Sequence, residues 1–132
     1  MLLELDFQSD VPIYIQLKVQ IIEGIATGKL KPGESLPSVR QLAADLGINL
    51  HTVNKAYNFL KQDGFLVIHR QKGVVVNPDQ SPNVNDEFIT RLEGDLRPFA
   101  AEAYCRGMTE QQFGEICRNL FIEFKKTRGE NI

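Results

Sequence analysis

The chain has 132 residues, 42% of them hydrophobic and 24% charged, and a formal net charge of −2, proportions that exclude wholesale disorder and fibrous architecture. Its size suits one compact domain with an appendage, or two small units. No run approaches the roughly 18 apolar residues needed to span a bilayer, and the opening "MLLELDF" has neither a basic start nor a long apolar stretch, so a cytoplasmic protein without a membrane partner is expected.

Asp10 precedes Pro12, a residue favoured in a first helical turn, and Ile13, Leu17, Ile21 and Ile25 then recur at every fourth position until Gly28. That spacing predicts a helix with one buried stripe. The stretch "KLKPGESLP" follows, whose prolines and glycine forbid regular helix. Ser38 with Gln41 three residues on has the form of a capping box, and Val39, Leu42, Ala43 and Leu46 make the apolar face of a short helix that Gly47 can end. Asn49 is the next good N-cap. Val53, Ala56, Tyr57 and Leu60 then fall at the spacing of a second buried stripe, closed by Gly64. Two short helices joined by a Gly-containing turn predict a helix-turn-helix.

"FLVIHRQKGVVVN" changes period: Phe65 to Ile68 and Val74 to Val76 are β-prone runs around a polar tip, which predicts a hairpin, or wing. "PDQSPNVND" contains the linker, placed at 79–83, which leaves 1–78 as the first unit and 84–132 as the second. In the tail, Phe88, Leu92, Leu96, Phe99 and Ala103 lie near one helical face, with a kink or break expected at Pro98. Thr109 with Gln112 predicts another capping box, followed by Phe113, Ile116, Cys117, Leu120 and Phe124. Helices this apolar on one side must pack on the first unit, on each other, or on a second copy of the chain. The predicted fold is mostly α with a small β-wing.

The weak net charge hides an asymmetry. Residues 1–78 carry eight basic and seven acidic groups, net +1, whereas residues 79–132 carry seven and ten, net −3. A DNA binder of this kind depends on local placement rather than overall field. In a helix-turn-helix the second helix enters the major groove with its first residues toward the base edges. The core uses Val53, Ala56, Tyr57 and Leu60, which leaves Leu50, His51, Asn54 and Lys55 pointing away and Thr52 at the margin. Asn54 can pair with adenine, His51 and Thr52 can bond to base or phosphate, and Leu50 can touch a thymine methyl or tuck under the wing. Arg40 can reach a guanine or phosphate, or instead pair with Glu34 or Asp45. Arg70 and Lys72 beside Gly73 form a cationic tip suited to minor groove or backbone, while His69 reads as strand surface. Cys105 and Cys117 lack the close partners of a zinc site, so reduced thiols and neither metal nor cofactor are expected. There is no phosphate loop and no nucleophile motif of an enzyme.

Residues 12–76 resemble the winged-helix DNA-binding domain of the GntR family of bacterial transcription regulators, through the "PIYIQL" opening of the first helix, the "G-x-L-x-PG-x-x-LPS-x-R-x-LA-x-x-LG" run, the "TV-x-x-AY-x-x-L-x-x-x-G-x-L" run and the wing. The resemblance implies operator contacts from Arg40, the residues Asn49 to Asn54, and the wing tip. The expected set is Ser38, Arg40, Asn49, Leu50, His51, Thr52, Asn54, Lys55, Arg70, Gln71, Lys72 and Gly73. Gln71 departs from the family, which often has a glycine there, and Leu50 and His51 are not its commonest choices. The short tail resembles the YtrA-like branch, which implies a homodimeric repressor on a near-palindromic double-stranded operator, often of a transport operon, with Phe88, Leu92, Leu96, Phe99, Phe113, Ile116, Leu120 and Phe124 at the dimer interface. The competing reading is a winged-helix protein-interaction module without DNA specificity, which the acidic pI near 5.7 favours.

Overall fold

The computed structural model describes residues 3–79 and 82–130, so residues 80 and 81 of the expected linker lie outside the described residues. In chain order it contains α1 (Ile13–Ala26), α2 (Val39–Leu46), α3 (Leu50–Asp63), β1 (Leu66–His69), β2 (Gly73–Val76), α4 (Asp86–Cys105) and α5 (Glu110–Arg128). These divide into two compact units, Met1–Pro82 and Asn83–Ile132.

The first unit is a winged helix-turn-helix. The stripe of α1 buries Leu17, Ile21 and Ile25 against Val53, Ala56, Tyr57 and Leu60 of α3 and Leu42 and Ala43 of α2. Val39 and Leu46, at the ends of the α2 stripe, are only partly buried. Leu66 and Val76 close the core from the hairpin, in which β1 and β2 pair antiparallel with Leu66 opposite Val76 and His69 opposite Gly73. Side chains of this size each contribute about 1.5 to 3 kcal/mol when fully buried, so the three helices and the hairpin have a shared core sufficient for one small domain.

Two details of this unit go beyond the sequence pattern. The segment before α2 is not merely irregular: the Gly33 and Leu36 amides donate to the Val76 and Val74 carbonyls, each at 2.8 Å, and the Val76 amide donates to the Glu34 carbonyl at 2.9 Å. Residues 33–36 therefore line the edge of β2 and tie the wing to the start of α2. Ahead of α1, the Glu4 amide donates to Gln20 Oε1 at 2.9 Å and the Asp6 amide to Gln16 Oε1 at 2.8 Å. Gln16 Nε2 returns bonds to the Asp6 and Val11 carbonyls, and Gln20 Nε2 to the Glu4 carbonyl. Two glutamines one turn apart on α1 thus take the place of a partner strand for the N-terminal segment, whose Leu3 and Leu5 pack on the core.

The second unit is a pair of helices. Asn85 caps α4, its side chain accepting from the Phe88 amide at 2.8 Å, with Asp86 and Glu87 in the first turn where the helix dipole favours acids. Thr109 and Gln112 make the full reciprocal capping box of α5, which ends in Lys125, Lys126 and Arg128 before Gly129. The break considered at Pro98 does not occur, and α4 runs through it from Asp86 to Cys105. Proline removes the bond to the carbonyl four residues back, here that of Gly94, and on an exposed helix water can take that bond. No residue of α4 or α5 is buried, so these helices do not by themselves enclose the intramolecular core that their apolar stripes imply. Phe113 and Phe124 are partly covered, whereas Phe88, Leu92, Leu96, Phe99, Ile116 and Leu120 are exposed.

Candidate nucleic-acid interface

The turn between the helices of the motif is Gly47, Ile48 and Asn49. Gly47 adopts φ 66°, a left-handed conformation that stops α2, and the Ile48 amide returns to the Ala43 carbonyl at 3.0 Å. Asn49 then starts α3, its side chain accepting from the His51 amide at 2.7 Å. These local bonds satisfy part of the backbone at each helix end, and the start of α3 keeps its polar face uncovered. Leu50, His51 and Asn54 are exposed and Thr52 is partly covered, as the periodicity predicts. Leu50 retains 38% of its surface, so an apolar residue stands open at the first position of the helix.

At the neighbouring helix start, Ser38 accepts from the Gln41 amide at 3.1 Å, but the box is only half made. The Gln41 side chain turns forward to Asp45 at 2.7 Å rather than back to Ser38. Glu34 is likewise engaged, accepting from the Lys31 amide at 3.0 Å. Both acids that could have neutralised Arg40 thus have other partners, and among the described residues Arg40 makes no ion pair. An exposed guanidinium in that state presents its full donor fork to an anion or a guanine edge.

The wing tip holds Arg70, Gln71 and Lys72, all exposed, with Gly73 at φ 76° opening β2. His69, which the sequence suggests is plain strand surface, organises this tip: its Nδ1 accepts from the Gln71 and Lys72 amides, each at 3.1 Å. One imidazole nitrogen receiving two backbone donors orders the turn without a glycine at position 71.

Lys55 differs from its neighbours. Its ammonium lies 3.9 Å from the centre of the Tyr14 ring, Tyr14 stacks on Phe59 at 5.9 Å, and Lys18 stands 5.2 Å over Phe59. This stack of two rings flanked by two cations ties α1 to α3 along their exposed edge. Its sequence signal was the i, i+4 pairing of Tyr14 with Lys18 and of Lys55 with Phe59, which gains meaning only once the two helices are known to lie side by side. Tyr57 was expected as core and has a second role: its hydroxyl donates to the Pro37 carbonyl at 2.8 Å, and burial pushes its pKa up to about 12. Among the described residues no group of three His, Cys, Asp or Glu side chains could hold a metal ion, and no helix is long and apolar enough to cross a membrane.

The family described as "Bacterial regulatory proteins, gntR family" matches residues 13–76. The chain is 28% identical over 124 residues to the HTH-type transcriptional repressor YtrA of Bacillus subtilis, covering 94% of this chain and 95% of the relative. Among solved structures it is similar to YtrA from Sulfolobus acidocaldarius, described as a GntR-family transcription factor, at 41% identity and a TM-score of 0.54, covering 89% of this chain and 96% of the other. A transcriptional antiterminator from Listeria monocytogenes EGD-e shares the fold at a TM-score of 0.80 and 20% identity, over 100% of this chain and 96% of the other.

Proposed function

The chain belongs to the gntR family of bacterial regulatory proteins, as a DNA-binding transcriptional regulator, and from that premise we propose how it acts: as a homodimeric repressor in the cytoplasm that occupies a near-palindromic operator and blocks transcription. In this reading residues 1–78 read DNA, 79–83 connect, and 84–132 dimerise. The α3 start, with Leu50, His51, Thr52 and Asn54, enters the major groove behind its cap Asn49. Arg40 and Ser38 reach the same groove or its flanking phosphates, and the tip from Arg70 to Gly73 follows the adjacent backbone. Lys55, held over Tyr14, meets a phosphate at the margin of the footprint. The observation that carries this reading is the exposed Arg40 in the first turn of α2, which among the described residues makes no ion pair, together with the exposed polar start of α3 and a second cationic group on an ordered wing tip.

The dimer assignment rests on the tail. Phe99 keeps 67% of its surface, Ile116 52%, Leu120 47% and Leu92 45%, an apolar display on two well-capped helices that costs solubility unless covered. A second copy of the same pair covers both at once, and a two-fold axis then sets the spacing of two half-sites.

Two measurements test the proposal. Duplexes selected from a randomised pool should yield an inverted repeat, bound less tightly as salt rises, and no duplex affinity even at low salt would overturn the DNA-reading face. Removing residues 84–132 should give a monomer that binds one half-site weakly, because avidity is lost. Sedimentation of a truncated protein that remains dimeric would refute the tail assignment.

A further inference from the structure

The DNA-facing pieces of the winged helix come from separate stretches of chain, and they meet at Pro37. On one side of it, the Leu36 amide donates to Val74 of β2 at 2.8 Å, and the Leu36 side chain is buried. On the other side stands Ser38, the cap of α2, with Arg40 two residues further. Proline has no N–H, so the carbonyl is the one polar group of residue 37. It accepts from the hydroxyl of Tyr57, midway along α3 and twenty residues away in sequence. Among the described residues this is the one side-chain hydrogen bond that joins α3 to the segment leading into α2.

Apolar packing of Leu42 and Ala43 holds the body of α2 on the core, but apolar contact is non-directional and leaves small rotations of the helix inexpensive. A hydrogen bond fixes distance and angle, and this one acts at the helix end where Arg40 sits. The Tyr57 ring is 0% exposed and has no freedom to follow a shifting partner. Among the described residues Arg40 has no ion pair, so its direction depends on where the first turn of α2 is held.

We propose that Tyr57 is a positioning residue for operator recognition: through the Pro37 carbonyl, its hydroxyl sets the register in which the first turn of α2 presents Arg40 to the operator. The inference rests on the reading of Arg40 as a DNA contact given above. Tyr57 itself touches no DNA. Removing its hydroxyl should weaken specific binding only so far as Arg40 supplies it, and a guanidinium that must meet a base edge with two bonds at once is sensitive to such a shift.

The test is a double-mutant cycle on the full chain, read by fluorescence anisotropy with a duplex selected from a randomised pool and a scrambled duplex as the non-specific reference. Arg40→Ala should lower specific affinity by about tenfold, and Tyr57→Phe by about three- to tenfold, with little change on the scrambled duplex. Arg40→Ala and Tyr57→Phe together should match Arg40→Ala alone to within about twofold, whereas Tyr57→Phe combined with Lys72→Ala should show the product of the single effects. Circular dichroism and a urea titration of each variant establish that it is folded under the binding conditions. If Arg40→Ala binds normally, both the DNA-contact reading and this inference fail. If Arg40→Ala is impaired but the Arg40 and Tyr57 effects multiply independently, only the positioning role fails. A Tyr57→Phe protein that does not fold, or folds and binds like the parent, also overturns the positioning role.

Discussion

Tyr57→Phe also changes stability, because burial and a hydrogen bond act on the same hydroxyl. At pH 8 the substitution removes the bond to Pro37 and leaves a partly buried carbonyl without its donor, a loss of about 1 kcal/mol. The ionisation of Tyr57 works the other way. Its pKa, pushed by burial from 10.0 to about 12, lies above that of the unfolded chain, so the neutral hydroxyl supports folding fully below pH 10. As pH rises the unfolded state releases the proton first and gains population. The loss reaches about 1.4 kcal/mol at pH 11 and about 3 kcal/mol once pH exceeds both values. Phenylalanine has no proton to lose. The parent should therefore be the more stable protein at pH 8, the two should match near pH 11, and Tyr57→Phe should be the more stable beyond it. Urea titrations followed by circular dichroism at pH 8, 9, 10 and 11 measure the difference directly, with the other tyrosines and the lysines cancelling between the two proteins. A gap that stays constant across that range would refute the claim that a buried, bonded hydroxyl links the two states.

Gly47→Ala isolates the backbone term of the turn, because a Cβ there meets nothing within 4 Å while φ is 66°. A loss of about 1 kcal/mol from the left-handed conformation alone is expected in the urea midpoint. No loss would mean the turn relaxes to another conformation. His69→Ala removes the acceptor of the Gln71 and Lys72 amides at an exposed site. Stability should shift by less than about 0.5 kcal/mol while affinity falls to a similar degree on selected and scrambled duplexes, since the wing serves the backbone. Undiminished binding would show that tip order is immaterial. Thr109→Ala should cost α5 about 1 kcal/mol, seen as faster amide exchange in its first turn with the winged helix unchanged.

The local order of this chain was legible because its signals are local. Ser38, Asn49 and Thr109 are short-range acceptors that act within three residues, and Gly47, Gly64 and Gly129 end helices by a conformation that needs no distant partner. The core stripes were legible for a related reason: a helix of fixed pitch brings Leu17, Ile21 and Ile25 to one side whatever it packs against. Two expectations, a full capping box at Ser38 and a break at Pro98, turn on balances that local sequence leaves open. Gln41 has two hydrogen-bonding options and takes Asp45 over Ser38. Pro98 lowers the propensity of α4, yet a solvated helix tolerates one missing bond.

Sequence alone determined that two capped helices stand three residues apart, that the second turns a polar start outward, and that a cationic hairpin follows. Tertiary structure decided how those pieces are held. Periodicity assigns Lys55 to the outside, but only the proximity of α1 places Tyr14 under its ammonium. Nothing near position 69 announces that an imidazole will gather two amides in the turn. The bond from Tyr57 to Pro37 spans twenty residues and exists because the core has already brought α3 against the segment before α2. Helix pitch and capping depend on neighbours along the chain, whereas contacts of this kind depend on which surfaces the burial of apolar area brings together.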